Sequence, residues 1–252
     1  QEGVFSQPYP GLKIGTVLNC AADVAHYAYG DKLQKTNVNG VKNLLNLSRE
    51  YESTFVQVST MSVGGTCTQA QYEKGICLTE SSLFIGQRIS NQYIETKFLA
   101  ERFILEAAAS GLPVKIMRVG NLQGRLSDGE FQMNMSENAF TRRLHSYVRL
   151  GKAPESLQDS LVQFSPVDRT VDAIVNLLSL SEKCTVFHTY NPTGVAFRDI
   201  FQTLEKYGHP IEYIPDRDFQ EMVEQFSQTE NGRSAIEGLV LDSGEYNYVE
   251  TP

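Results

Sequence analysis

An alternation of strand-like and helix-like segments at crossover spacing constrains this chain more than any other feature. Thr16-Val-Leu-Asn-Cys-Ala-Ala reads as a buried strand running into small residues. Asp31 to Arg49 then places Leu33, Val38, Val41, Leu44, Leu45 and Leu47 at a helical period. Thr54-Phe-Val-Gln-Val-Ser-Thr is a β-branched second strand, bounded by Gly64-Gly65. Gln92 to Ala109 is rich in Glu, Lys, Ala and Leu, and Gly111 follows where a helix end favours glycine. Val114-Lys-Ile-Met-Arg-Val is a third strand. Strand, helix, strand, helix, strand at these separations predicts crossover units and a parallel sheet.

Beyond Gly120 the character changes. A loop rich in Gly, Asn and Met leads to a helix at Ser136 to Leu150, a second at Val171 to Leu180, and a strand at Thr185 to Tyr190. The tail from Phe197 reads as two or three short helices with acidic loops. The expected fold is α/β: a Rossmann-like doubly wound parallel sheet with a smaller, mostly helical C-terminal lobe. Residues 12–130 and 160–195 form the sheet domain in this reading, and 131–159 and 196–252 form the lobe. With 252 residues, 41% of them hydrophobic, the chain can bury such a core.

A net charge of −8 argues against a general nucleic-acid surface, and no apolar run is long enough for a bilayer. The four cysteines and four histidines show no metal-ligand spacing. Cysteine this sparse fits reduced thiols in a cytoplasmic protein, with a Cys67–Cys77 bridge as the minor alternative.

Tyr93 and Lys97 stand four apart on one predicted helix, so their side chains leave the same face. A phenol titrates at about 10, too high for easy proton exchange at neutral pH. An ammonium beside it favours the phenolate and is expected to lower that value, making Tyr93 a proton donor for a carbonyl under reduction. Tyr-x-x-x-Lys alone is a weak signal, since such pairs are common on amphipathic helices. Thr60, at the end of the second strand, can offer a hydroxyl to the same carbonyl oxygen, with Ser59 and Ser62 as rivals. The alternative for all three hydroxyls is strand-end hydrogen bonding.

With these residues in place the sequence resembles the extended short-chain dehydrogenase/reductases. Asn19-Cys-Ala-Ala-Asp is similar to their strand end along the cofactor, and Thr36-Asn-Val-Asn-Gly-Val-Lys-Asn-Leu-Leu to their next helix. Val58-Ser-Thr-Met-Ser-Val-Gly-Gly looks like their catalytic strand, and Tyr93-Ile-Glu-Thr-Lys like their active-site helix. Within that group, Glu80-Ser-Ser-Leu-Phe-Ile-Gly-Gln, Asn91-Gln-Tyr, Lys97-Phe-Leu-Ala-Glu, Arg118-Val-Gly-Asn-Leu-Gln-Gly-Arg and Pro166-Val-Asp resemble the thioester reductase domains of nonribosomal peptide and polyketide synthases. The resemblance implies that Thr60, Tyr93 and Lys97 are catalytic. It implies NADPH as cofactor, and an acyl or peptidyl carrier domain bearing a phosphopantetheine thioester as partner. The thioester is released as an aldehyde, and in some members the aldehyde is reduced again to the alcohol.

Cys20, Ala21 and Ala22 line the cofactor in this reading. Thr36 and Asn37 support its nicotinamide side and the active-site backbone, Ser59 is a further cofactor-binding candidate, and Val119, Gly120 and Asn121 sit at a strand end where doubly wound folds place ligands. The family's opening Gly-x-x-Gly-x-x-Gly loop has no counterpart here, so the resemblance implies a sheet incomplete at its N-terminal side, and these 252 residues alone are expected to bind NADPH poorly. Arg142, Arg143, Arg149 and Lys152 read first as a solvated helix face, and second as a receiver for the pantetheine phosphate or an acidic carrier. Met133 and Met135 read as core filler before acyl pocket. His26 and His145 receive no role. The competing readings are a sugar-nucleotide epimerase or dehydratase of the same fold, and a non-catalytic module that kept it.

Overall fold

The computed structural model describes residues 11, 13–24, 31–66, 73–75, 77–89, 91–181 and 184–240. Cys67 and His26 lie outside these. The chain divides into two compact units, residues 1–120, 170–190 and 246–252 in the first, and 121–169 and 191–245 in the second.

The first unit is built on a four-stranded sheet of β1 (Thr16–Asn19), β2 (Thr54–Thr60), β3 (Val114–Val119) and β4 (Cys184–Thr189). The strands run side by side in that order, every neighbouring pair parallel. Helix α1 (Gly40–Glu50) connects β1 to β2, and α2 (Gln92–Ala109) connects β2 to β3. Both helices lie on one face of the sheet. There Val41 and Leu45 of α1 and Ala100, Ile104 and Ala107 of α2 meet Phe55, Val114 and Ile116 in one core. Every residue of β3 is buried, as a central strand covered on both sides requires.

The local chemistry of α2 explains its limits. Asn91 caps it, its side-chain oxygen accepting the Ile94 N–H at 2.9 Å. Gly111, at φ +95°, takes the left-handed conformation that ends it. The segment before α1 departs from the expected regular helix. Residues Gln34–Asn39 form a π-helical turn, and the consecutive residues Asn37 and Val38 are both buried. A regular turn separates neighbours by about 100° and would not turn both inward equally.

Lys115, buried in β3, sends its Nζ to the carbonyls of Leu177, Leu178 and Leu180 at 2.8, 3.1 and 2.5 Å. These close the C-terminal end of α4 (Val167–Leu178), where unpaired carbonyls favour a cation.

The second unit is mostly helical, with α3 (Ala139–Leu150), α5 (Phe197–Lys206), α6 (Asp216–Ser227) and α7 (Glu230–Val240). Three two-stranded pairs join Leu122–Gln123 to Ser165–Pro166, Lys152–Pro154 to Glu212–Ile214, and Leu161–Gln163 to Gly194–Ala196. Its core is aromatic: Tyr147, Phe197, Phe201 and Phe219 pack with Ala153 and Leu157. Met133 and Met135, expected as core filler, are instead exposed, because the loop that carries them runs over the surface of this unit. No helix among the described residues is long and apolar enough to cross a membrane.

Candidate active site

Thr60 is the last residue of β2 and is 9% exposed. Its hydroxyl oxygen accepts the N–H of Ser62 at 3.1 Å, which starts the short 3₁₀ turn Met61–Gly64. The same hydroxyl shares a hydrogen bond with the Tyr93 phenol from the first turn of α2. One turn further along α2, Lys97 is 4% exposed and donates from Nζ to the Val58 carbonyl at 2.9 Å. A hydroxyl, a phenol and an ammonium are thus gathered around the carboxyl end of β2. In parallel sheets this end is where ligands bind.

The titration of these groups departs from the expectation for Tyr93. Burial pushes its phenol up to about 12, and the Thr60 hydrogen bond offsets this only in part. The predicted net lowering does not occur, because desolvation of the buried phenolate outweighs the neighbouring charge, whose ammonium is itself bonded to the Val58 carbonyl. Burial also drives Lys97 down to about 8, against the pull of Glu101 and then Cys20 in the other direction. Tyr93 therefore holds its proton throughout the neutral range, as a donor must, and the titration nearest neutrality belongs to Lys97.

The remaining predicted residues fall into three groups. Cys20 and Ala21 are exposed and Ala22 is half-buried, on an extended stretch leaving β1. Asn19 accepts the Ala21 N–H at 3.1 Å through its side chain. Asn37 holds the Asp23 backbone from both sides, accepting its N–H at 2.8 Å and donating to its carbonyl at 2.9 Å. The same Asn37 amide donates to Thr96 on α2 at 3.1 Å, tying that stretch to the helix of Tyr93. Val119 is the register partner of Thr60 on β3, and Gly120 follows it directly. These residues gather with Thr60, Tyr93 and Lys97 in the first unit.

Thr36 is exposed on the π-helical turn. The Ser59 hydroxyl is committed to Glu101 at 2.5 Å. Asn121 opens the second unit, where its carbonyl accepts the Ser165 N–H at 2.9 Å. The basic stretch is engaged inside its own unit: Arg142 with Glu237, Arg149 with Ser234, Lys152 with Glu212, and Arg143 over the Tyr147 and Phe197 rings. His145 is exposed.

Sequence reasoning missed the buried partners beneath the site. Glu101 and Arg118 form an ion pair at 2.8 Å with both side chains fully buried. Gln87, 7% exposed, donates to the carbonyls of Val63 and Leu83 at 3.1 and 2.8 Å. The available signal was a cation in the otherwise apolar stretch Ile116-Met-Arg-Val, with a carboxylate one turn past Lys97.

The small residues 20–22, flanked by the Asn19 and Asn37 hydrogen bonds, run with Cys20 within electrostatic reach of Lys97, and small side chains beside a hydroxyl, a phenol and an ammonium fit the nicotinamide end of a dinucleotide. Among the described residues, no strand-to-helix junction carries the glycine-rich loop that would cradle its pyrophosphate.

Comparison with known proteins gives the chain its family and its fold. The chain is 28% identical over 202 residues to glycine betaine reductase ATRR of Emericella nidulans, covering 79% of this chain and 15% of that protein. It is 27% identical over 206 residues to the isonitrile lipopeptide synthase of Streptomyces coeruleorubidus, covering 80% of this chain and 13% of that protein. The chain thus spans only a small part of the curated relatives it matches. Among solved structures, a thiolation-reductase di-domain from an archaeal non-ribosomal peptide synthetase superimposes with a TM-score of 0.83 at 36% identity, covering 94% of this chain and 51% of that one. The terminal R domain of the myxalamid PKS-NRPS pathway shares the fold, with a TM-score of 0.76 at 23% identity, covering 94% of this chain and 58% of that one. The profile of an NAD-binding family described as male sterility protein matches residues 11–174. With the extended reductase fold and the Thr60–Tyr93–Lys97 site inside that span, the chain belongs to this NAD-binding family.

Proposed function

We propose that the chain is the reducing part of a carrier-linked thioester reductase. It would release an acyl or peptidyl group from phosphopantetheine as an aldehyde, or through a second reduction as the alcohol. The observation that carries this reading is the meeting of the Thr60 hydroxyl, the Tyr93 phenol and the Lys97 ammonium at one strand end. The named activities of the reductase, lipopeptide synthase and peptide-synthetase relatives support it.

When bound, a nicotinamide cofactor, NADPH in this proposal, would supply the hydride and the two electrons that the thioester carbonyl carbon takes up. Thr60 and Tyr93 hold the carbonyl oxygen, and Tyr93 passes its proton to it as negative charge gathers there. Lys97 stabilises the phenolate left behind. The product is a hemithioacetal. Its carbon–sulfur bond then breaks, the hydroxyl proton returns to Tyr93, and the departing thiolate takes a proton from water. One carbonyl is reduced by two electrons, and one thiol and one aldehyde leave. Cys20, Ala21 and Ala22 would lie along the cofactor, with Asn37 fixing the backbone beside them. Val119, the register partner of Thr60, and Gly120 after it would contact cofactor and substrate from the neighbouring strand end. The sparse cysteines suit a cytoplasmic setting.

The test follows NADPH absorbance with the full-length protein, offering an acyl-pantetheine thioester in one arm and a sugar nucleotide in the other. Thioester-dependent oxidation with a trapped aldehyde is the expected result. Turnover of the sugar nucleotide alone would replace this reading with an epimerase or dehydratase.

A further inference from the structure

One residue below Thr60 a polar row crosses the sheet. Ser59 on β2, Arg118 on β3 and His188 on β4 are register partners across the three strands. Glu101 meets this row from α2, one turn beyond Lys97. Ser59 donates to Glu101 Oε1 at 2.5 Å, and Arg118 donates to Oε2 from Nε at 3.1 Å and from Nη2 at 2.8 Å. The guanidinium reaches the Thr79 carbonyl at 3.0 Å, the Ser82 carbonyl at 2.9 Å and His188 Nε2 at 3.2 Å. All five of its N–H donors have a destination. Because a guanidinium can only donate, His188 Nε2 must accept, which leaves the imidazole neutral with its proton on Nδ1, facing Glu80 at 3.8 Å.

A buried ion pair is a poor way to stabilise a core, since apolar side chains of similar volume do as well or better. Its placement suggests another task. Two consecutive residues of β2, Val58 and Ser59, engage two residues one turn apart on α2, Lys97 and Glu101. Two rungs fix both the axial position and the rotation of the helix, whereas one would let it rock. That helix presents Tyr93 to Thr60, and a displacement of about 1 Å at a reacting group can cost a hundredfold in rate. The carboxylate is also a negative charge one turn from the Lys97 ammonium, which it favours.

We propose that Glu101 is a positioning residue of this site: clamped by Ser59 and Arg118, it sets the register of α2 on β2 and lays a negative charge one turn from Lys97. The inference rests on the reading of Tyr93 and Lys97 given above.

Two variants of the full-length protein test it. Glu101→Gln keeps the shape and removes the charge. Because it strands Arg118, a double variant, Glu101→Leu with Arg118→Met, replaces the whole pair by apolar volume and leaves no buried charge unpaired. Lys97 is titrated by pH-dependent competitive acetylation read by mass spectrometry, and the pH profile of kcat/KM is measured beside it. Both variants should move the Lys97 titration down by about one pH unit. From a starting value of about 8, such a shift raises the free-amine fraction at pH 7 roughly fivefold. The alkaline limb of kcat/KM should fall by the same interval, with kcat reduced more than KM is raised. Unchanged Lys97 labelling in the folded double variant would overturn the proposal. The labelling does not depend on turnover, so a wild-type protein inert toward thioesters would remove the functional reading and still leave the Glu101 assignment to be decided by the labelling.

Discussion

At Lys97 two effects act in opposite directions on one ammonium. Burial lowers its titration from 10.5 to about 8, while Glu101 and then Cys20 pull it back up. The unfolded chain therefore binds more protons than the folded one between about 8 and 10.5, and stability rises with pH through that window. The proposed chemistry runs the other way, because the ammonium assigned to steady a Tyr93 phenolate is lost as pH climbs through about 8. Tyr93, pushed up to about 12, contributes no titration there. The expected pH profile of kcat/KM has an alkaline limb near 8, and Lys97→Arg moves that limb up by about two pH units or more, because a guanidinium stays charged. A limb that stayed in place in the arginine variant would assign it to another group. That Tyr93 and Lys97 share one helix, a turn apart, was legible in the sequence because helical spacing puts residues four apart on one face. The sign of the phenol shift was not. It depends on how much protein surrounds the oxygen and on where the lysine's proton points, and residue spacing carries neither.

At the scale of elements, β2, α2 and β3 lie at the limits their sequences imply, since β-branched alternation, an asparagine cap and a terminal glycine are local signals. The π-helical turn at Gln34–Asn39 was not legible, because it arises from a distant demand. Asn37 has to reach Asp23 and Thr96 at once. The turn after Thr60 is similarly set by tertiary contact. Gly65 has φ +59° and ψ −149°, and a Cβ there would lie 2.3 Å from the Arg88 carbonyl oxygen. That carbonyl accepts the Thr66 N–H at 2.9 Å, and the bridge draws the loop before α2 against the end of β2. Gly65→Ala should therefore cost about 2–4 kcal/mol and lower the melting temperature by several degrees. Gly15→Ala, in open space, should be near neutral. Equal melting temperatures for the two variants would show that the turn relaxes without strain.

For the whole molecule, the class of fold and the change of character beyond Gly120 followed from the order of elements, and the structure has a parallel sheet in one unit and mostly helices in the other. The surface was read less well. Met133 and Met135 are exposed where burial was expected, since composition shows that a residue is apolar but not whether its loop has a core to enter. The acidic residues that engage Arg142 and Lys152 lie far along the chain, at Glu237 and Glu212, so sequence could not show that the basic stretch is internally matched. The proposed chemistry depends above all on Tyr93 as the proton donor to a substrate carbonyl. Its most direct test is the single-turnover rate of the Tyr93→Phe full-length protein with an acyl-pantetheine thioester, beside its affinity for NADPH. The expected result is a loss of about 10²–10⁴ in rate with cofactor affinity nearly unchanged. A variant keeping more than about a tenth of the wild-type rate, where general acid catalysis should be lost, would contradict it.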